Sequence, residues 1–260
     1  MTGSDGLVAF AAGLLISVVT TPVGVSGAVF LLPVQLSVLG VPSPAVTPTN
    51  LLFNVVAGPG ALLRHRRGGG LTGPLTRLLL AGTVPGVVVG AAVRVFAVPG
   101  AEVFRIIVAA LLLPLGLWLI SRTLRRRADP PRATVSRRGI TSLALAVGVV
   151  GGVYGIGGGS LLGPILVGRG MPVAEVAPAA LTSTFVTSVV GAGAFSALGL
   201  ATGGDIAPEW TVGLLCGLGG LIGGYLGARL QPRLPDTGLR LLLGTLAVAL
   251  AVAYAAQALV

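Results

Sequence analysis

Residues 24–33 read Gly-Val-Ser-Gly-Ala-Val-Phe-Leu-Leu-Pro, and residues 155–164 read Gly-Ile-Gly-Gly-Gly-Ser-Leu-Leu-Gly-Pro. Each stretch lies inside a long apolar segment, residues 7–40 in the first case and 140–168 in the second. Glycine costs about 1 kcal/mol and proline about 3 kcal/mol relative to alanine inside a helix. We therefore expect the helix to be broken at corresponding places in two halves of the chain. Paired breaks of this kind indicate the binding site of a secondary transporter.

The composition is that of an integral membrane protein. Hydrophobic residues make up 54% of the chain, charged residues 9%, and the mean hydropathy is +0.99, whereas soluble domains carry about 25% charged residues. Asp5 precedes the first apolar run and no basic segment stands before it, so we interpret that run as a retained membrane element and not as a secretory signal. The predicted fold class is an all-α polytopic membrane bundle of two homologous repeats, with about eight membrane segments.

Six plain membrane spans are expected, because a helix needs about 20 residues to cross the hydrocarbon core. They lie at 45–63, 77–94, 103–121, 174–200, 210–229 and 239–259. The two broken segments, 7–40 and 140–168, are each too long for one simple span and too short for two. A re-entrant hairpin that returns to the side it entered fits both segments. A kinked full span stays open as the alternative.

The placement of the 17 arginines separates these alternatives. If both broken segments are single crossings, 11 arginines fall on one side of the membrane and six on the other. If both segments return to the side they entered, the split becomes 15 to two, with only Arg94 and Arg105 outside. Positive residues concentrate on the cytoplasmic side, so we prefer the second topology. It makes the two halves inverted repeats.

The predicted organisation is a first membrane repeat over 1–121, a basic cytoplasmic linker over 122–138 and a second membrane repeat over 139–260. The net charge is +10, and a basic chain can indicate nucleic-acid binding. The arginines, however, lie in short links between apolar spans, and we interpret them as anchors against anionic lipid. Membrane lipid is therefore an expected partner, and nucleic acid is not.

Catalytic and cofactor chemistry has little support in the residues. The chain has one histidine, His65, and one cysteine, Cys216, with no clustered carboxylates, so neither a metal site nor a cofactor is expected. The stretch 155–159 lacks the glycine that a dinucleotide loop needs at position 160, where Ser160 stands. Residues 24–27 match a nucleophile motif of intramembrane serine proteases, but His65 lies in a basic loop and would not activate a serine at mid-membrane. We expect no enzyme.

The breaks supply uncharged hydrogen-bond donors at mid-membrane. Backbone N–H groups freed at a break carry partial positive charge, and hydroxyls and amides lie close by in the sequence. The predicted substrate-binding set is Ser26, Gly27, Thr49, Asn50, Gly157, Gly158, Gly159, Ser160, Thr182 and Ser183. Further donors nearby are Thr20, Thr21, Asn54, Thr184 and Thr187. Such a set suits an oxyanion, which accepts many hydrogen bonds. The alternative is that these small residues only let helices pack closely.

The duplicated glycine-rich element followed by proline resembles that of the TauE/SafE family of sulfite and organosulfonate exporters. In each half a Gly-x-Pro turn follows, at 40–42 and 170–172, and then a polar pair, Thr49-Asn50 or Thr182-Ser183. The resemblance covers nearly the whole chain. The first copy departs from the family pattern, with Ser26 and Ala28 where the family prefers glycine.

The resemblance implies a secondary carrier of small sulfur-containing anions in the bacterial inner membrane, without a cofactor. An anion channel and a non-transporting membrane scaffold stay open as rival functions. Replacing Gly157 or Gly158 by alanine should abolish the flux of a carrier and leave its fold, whereas a scaffold should lose assembly. The residues do not name the substrate, the direction of transport, the oligomeric state or a coupling ion, for which protons and sodium are the candidates.

Overall fold

The computed structural model describes residues 3–66, 70–97, 101–125, 136–169, 171–202 and 207–258. Every regular element in these ranges is helical, which confirms the all-α class. The α-helices of these ranges are α1 (Gly3–Thr20), α2 (Ala28–Pro33), α3 (Ser43–His65), α4 (Pro74–Phe96), α5 (Ala101–Leu124), α6 (Arg137–Tyr154), α7 (Gly159–Gly168), α8 (Val173–Thr202), α9 (Trp210–Leu230) and α10 (Asp236–Ala258). Most of the predicted linker, 126–135, lies outside the described residues.

Six helices of the described ranges are long and apolar enough to cross a membrane, so the chain is a multi-pass membrane protein. They cover Ser4–Val23, Ala45–His65, Pro74–Phe96, Val173–Ala201, Trp210–Arg233 and Thr237–Ala256. Five of them coincide with predicted plain spans. The remaining predicted span, 103–121, falls within α5, in which Leu112–Leu124 forms a shorter apolar stretch. α1, with the turn that follows it, is long enough to cross the membrane by itself. The rest of segment 7–40 lies after the break in that segment.

The first apolar segment is broken at its glycine cluster. α1 continues into one 3-10 turn, Thr21–Val23, before Gly24 adopts a left-handed backbone conformation with a φ of 76°. That conformation costs a residue with a side chain about 1–2 kcal/mol, which explains the glycine. α2 begins only at Ala28. Residues 24–27 thus form a non-helical turn, which we name the first break.

The second apolar segment is broken in the same way. α6 ends at Tyr154, Gly155 and Gly157 have φ values of 68° and 72°, and α7 begins at Gly159. Residues 155–158 form the second break. The short helices that follow the breaks differ in length. α2 has six residues and passes into the π-helix Val34–Val38, whereas α7 has ten residues.

Each short helix runs back along the long helix that follows it in the chain. Ser26 lies beside Asn54 and Ala28 lies beside Asn50, so residue numbers rise in α2 as they fall in α3. Residue numbers likewise rise towards α7 as they fall in α8, in the pairs Gly158–Thr187 and Gly159–Ala180. α2 and α7 are therefore antiparallel to α3 and α8, respectively.

Six long helices of the described ranges, α5 and α10 apart, form two sets of opposite direction. α1, α3 and α9 run one way, and α4, α6 and α8 run the other way. The contacts that fix these directions are Phe10–Gly219 and Val18–Gly227 for α1 with α9, Leu52–Gly213 and Ala61–Gly224 for α3 with α9, Thr141–Gly82 and Val149–Gly90 for α6 with α4, Ser183–Thr83 and Gly191–Val87 for α8 with α4, and Phe185–Gly58 and Gly191–Leu51 for α8 with α3. α1 and α6, which open the two halves, thus point in opposite directions.

The main helix contacts recur with the halves exchanged. α1 packs on α9 of the other half, and α6 packs on α4 of the other half. Both interfaces use glycines that let the neighbouring backbone approach closely. Gly86 packs on the carbonyl group of Leu145, and Gly223 packs on that of Leu14. These contacts leave the two breaks side by side at the centre of the bundle, where Gly163 of α7 meets the carbonyl oxygen of Gly24.

Candidate functional site

A small polar cavity lies at the first break, between α3, α8 and α9. Its volume is about 30 Å³, which leaves room for one or two water molecules. We name it the central cavity. Its polar lining is formed by Ser17, Thr21, Ser26, Asn54 and Thr184, and the rest of its lining is glycine, alanine, leucine and phenylalanine. Hydroxyl and amide groups are thus the recognition chemistry that this lining offers.

Asn54 connects the two breaks. It lies at the midpoint of α3 and is 3% exposed. Its Oδ1 accepts a hydrogen bond from Ser26 Oγ of the first break, and its Nδ2 donates to the carbonyl oxygen of Gly155 of the second break at 3.4 Å. Ser26 Oγ also accepts the N–H of Ala28 at 3.1 Å, which places it at the start of α2. A single amide therefore holds both turns and faces the central cavity.

Hydroxyl groups surround the second break. Thr187 Oγ1 accepts the Gly158 N–H at 3.0 Å, and Ser160 Oγ lies 3.4 Å from Thr184 Oγ1. Ser183 Oγ lies 2.9 Å from Thr83 Oγ1 of α4. These side chains bond to one another and to the backbone of the break. The second break is therefore surrounded by a packed polar cluster, of which Thr184 also lines the central cavity.

The glycines of the second break are needed for close packing. A Cβ atom on Gly157 would lie 2.6 Å from Thr184 Cγ2, and one on Gly158 would lie 2.6 Å from Thr83 Cβ. A Cβ atom on Gly159 would overlap the carbonyl oxygen of Ala180. Alanine at Gly157 or Gly158 would therefore disturb packing in a carrier and in a scaffold alike. These substitutions do not separate the two functions, contrary to the expectation from sequence.

The predicted binding residues occupy three different environments. Ser26 and Gly27 line the central cavity. Gly157, Gly158, Gly159, Ser160 and Ser183 belong to the second break and its hydroxyl cluster. The remaining three, Thr49, Asn50 and Thr182, do not line the central cavity.

The hydrogen bonds of these last three residues explain their positions. Asn50 Nδ2 donates to the carbonyl oxygen of Ala28 at 2.9 Å, and Thr49 Oγ1 accepts the Glu209 N–H at 2.9 Å. Thr182 Oγ1 donates to the carbonyl oxygen of Pro178 at 2.8 Å, within its own helix. Asn50 thus ties α2 to α3, and Thr49 ties α3 to the start of α9.

Arg94 is a residue whose position the sequence analysis misjudged. It was expected in an interfacial link, but α4 continues to Phe96 and the Arg94 side chain is only 4% exposed. Its Nε donates to Thr47 Oγ1 at 3.2 Å, and Thr47 Oγ1 donates to the carbonyl oxygen of Val153 at 3.3 Å, next to the second break. The sequence did carry a signal: Arg94 continues the four-residue spacing of Gly82, Gly86 and Gly90, the face of α4 that packs on α6.

Comparisons with known proteins agree with a membrane transporter. The family described as "Sulfite exporter TauE/SafE" matches residues 9–254. A "Probable membrane transporter protein" of Xylella fastidiosa (strain Temecula1 / ATCC 700964) is 30% identical over 245 residues, which cover 89% of this chain and 84% of that relative. No solved structure matches the chain. On the strength of the family match over nearly its whole length, the chain belongs to the TauE/SafE sulfite exporter family of membrane transporters.

Proposed function

We propose that the protein is a secondary carrier that moves small anions, of the sulfite, sulfonate or related sulfur-containing class, across the bacterial inner membrane by alternating access. The observation that carries this proposal is the central cavity, where hydroxyls from α1, the first break and α8 meet the Asn54 amide. The family membership supports a transport function. The cavity supplies the chemistry by which the solute would be recognised.

The lining of the central cavity suits an oxyanion. Sulfite and sulfonate groups present several oxygen acceptors, and the hydroxyls of Ser17, Thr21 and Thr184 together with the Asn54 Nδ2 group are donors. Its volume of about 30 Å³ is too small for such an ion and its bonds. Binding would therefore require the breaks to separate. Asn54 is the side chain whose bonds to both breaks would have to rearrange.

We further propose that the architecture is a pair of inverted repeats over 1–121 and 139–260, joined by the basic linker 122–138. Three observations support this arrangement: the opposite directions of α1 and α6, the contacts that recur with the halves exchanged, and the arginine split of 15 to two. Repeats of opposite orientation provide two structurally related states, open to opposite sides, which is the basis of alternating access.

The central cavity lies on one side of the bundle centre. It extends from Asn54 at the middle of α3 to Ala61 near the end of that helix, where Arg64 and Arg66 follow. The positive-inside bias places this end in the cytoplasm. Asn54 and the packed second break stand between the cavity and the opposite side. A pathway obstructed at this level favours a carrier over a permanently open channel.

An exporter of this kind needs no ATP site. An interior-negative membrane potential favours anion exit by about 2.3 kcal/mol per charge per 100 mV. Coupling to protons or sodium would be needed for uptake against that potential. A flux measurement with an added pH or sodium gradient tests for such coupling.

The test is flux in proteoliposomes held at a set membrane potential. Radiolabelled or fluorescently reported sulfite, thiosulfate, methanesulfonate, sulfate and chloride are offered in turn. We expect saturable flux of the sulfur oxyanions with stimulation by substrate on the opposite side. Non-saturating flux without this stimulation would instead identify a channel. Indifference to every anion in a folded preparation would remove the transport proposal and leave the scaffold.

A further inference from the structure

Arg94 is the one charged residue among the side chains that the structure describes as buried. It lies in the last turn of α4, at a point where α3 begins and α6 ends. Charged residues inside membrane bundles are rare and costly, and they mark ion and substrate pathways. Arg94 bonds to Thr47, and the Tyr154 side chain lies within electrostatic reach of its guanidinium. This cluster joins the second break to the end of α4.

The position of Arg94 along the bundle is opposite to that of the central cavity. Thr47, its hydrogen-bond partner, precedes Asn54 by seven residues of α3, or about 10 Å along the helix axis. Ala61, at the far end of the central cavity, follows Asn54 by the same number of residues. The central cavity and Arg94 therefore lie on opposite sides of Asn54. An ion leaving the cavity past Asn54 would approach Arg94 next.

The other half of the chain has no charge at the corresponding place. Gly82, Gly86 and Gly90 of α4 make the contacts that Gly219, Gly223 and Gly227 make in α9, so Arg94 corresponds to Gln231. Likewise Gly155 packs on Thr47 as Gly24 packs on Ala177, so the hydroxyl partner of Arg94 corresponds to an alanine. Packing of the repeat thus does not require an arginine here. The asymmetry points to a role that only one side of the pathway needs.

We propose that Arg94, Thr47 and Tyr154 form a second anion station, between Asn54 and the membrane face opposite the central cavity. A guanidinium presents paired N–H donors that match two oxygens of a sulfite, sulfonate or similar oxyanion. With Arg94 only 4% exposed, the station is closed in this conformation. It opens when the second break moves away from α3. The inference rests on the proposed transport function and adds the residue that gives the far side of the pathway its preference for negative charge.

The test compares a doubly charged with a singly charged anion in wild-type and Arg94→Gln proteoliposomes. Thiosulfate and methanesulfonate serve as the probes, with KM and kcat measured for both. We expect Arg94→Gln to raise the KM for thiosulfate by about tenfold or more and that for methanesulfonate by a smaller factor. A purely structural arginine would instead lower the amount of folded protein or reduce kcat equally for both anions. Arg229→Gln, which removes an exposed charge at the end of α9, is the matched control and should keep the wild-type KM ratio.

The outcomes of this test separate the inference from the transport proposal. If the wild type moves neither these probes nor sulfite, sulfate or chloride, the transport proposal falls. If the wild type transports and Arg94→Gln keeps both KM values, the station falls and the carrier stands. If Arg94→Gln does not fold, Arg94→Lys decides the question, because it keeps the charge and loses the guanidinium fork. The station predicts that Arg94→Lys raises both KM values and keeps the preference for the doubly charged anion, and unchanged KM values or loss of that preference would overturn it.

Discussion

The two breaks have the same backbone design and different surroundings. The first break carries Ser26 and opens onto the central cavity, whereas the second carries Gly157 at the corresponding position and is packed against hydroxyls. Ala28 begins the helix after the first break, and Gly159 begins the helix after the second. The second break is thus the more tightly packed one. The first break lines the cavity.

This difference shows that a glycine-rich motif can serve two purposes in one chain. In the second break the absence of side chains lets α8 and α4 approach the turn closely. In the first break a serine in place of glycine supplies a hydrogen bond to Asn54 and a polar wall. Close packing and the polar cavity wall are thus separated between the two breaks. Exchanging residues between the breaks tests that separation directly.

Gly159→Ala, which gives the first position of α7 the residue found at the first position of α2, should have the largest effect. Its Cβ atom would overlap the carbonyl oxygen of Ala180, a backbone atom that cannot move without shifting α8. We expect a loss of about 3 kcal/mol in stability, measured by thermal unfolding and size-exclusion chromatography in detergent. The reciprocal change, Ala28→Gly, should cost only about 0.5–1 kcal/mol. Equal losses in the two variants would contradict the packing difference.

Asn54→Ala should impair transport more than Thr184→Val does. The two residues occupy corresponding positions, since α3 and α8 align with an offset of 130 residues. Asn54 bonds to both breaks, whereas the hydrogen bond of Thr184 reaches only Ser160 after the second break. We expect Asn54→Ala to lower sulfite flux by about tenfold or more and Thr184→Val by a few-fold. The measurement is initial flux per folded protein, and a larger effect of Thr184→Val would mean that the bonds of Asn54 to the breaks do not control transport.

Thr187→Val should destabilise the second break without touching the central cavity. It removes the acceptor of the Gly158 N–H and leaves that buried donor without its bond, which costs about 1–3 kcal/mol. The corresponding residue near the first break is Ala57, so no equivalent bond exists there. Thermal unfolding measures the change. The control is Thr245→Val, at an exposed residue of α10 that bonds only to its own helix, with an expected change below about 0.5 kcal/mol.

Ser26→Ala should have a smaller effect on stability than Gly159→Ala or Thr187→Val, about 1 kcal/mol. It removes the hydrogen bond to Asn54 and the acceptor for the first N–H of α2, and it leaves the packing volume nearly unchanged. The comparison variant is Ser196→Ala, at an exposed residue of α8 that bonds to its own helix. A Ser26→Ala protein as stable as Ser196→Ala would mean that the first break does not depend on its serine.

Much of the fold could be predicted from local features of the sequence. Glycine and proline clusters in apolar segments located both breaks, and hydropathy located the long helices to within a few residues. The donors Ser26 and Asn54 were visible because polar residues are sparse near mid-membrane. These are features that neighbouring residues decide. They can be inferred without knowing the tertiary contacts.

Features that depend on distant contacts could not be inferred. The glycines 157–159 have the same composition whether they bind a solute or admit a helix, and only the approach of Ala180 and Thr184 distinguishes the two. Arg94 resembles an interfacial anchor because it stands near the end of an apolar span. Its burial follows from the glycine face that it shares with Gly82, Gly86 and Gly90. The burial of that face can be inferred only once α6 is known to pack against it.

The exchanged pairing of α1 with α9 and of α6 with α4 has a consequence for biosynthesis. The glycine surfaces of α1 and α4 leave the ribosome well before their partners, and α9 follows α1 by about 190 residues along the chain. The first half therefore cannot complete its packing until α6 and α9 have been synthesised. Halves expressed as separate polypeptides would have to find each other in the bilayer before either became protease-resistant.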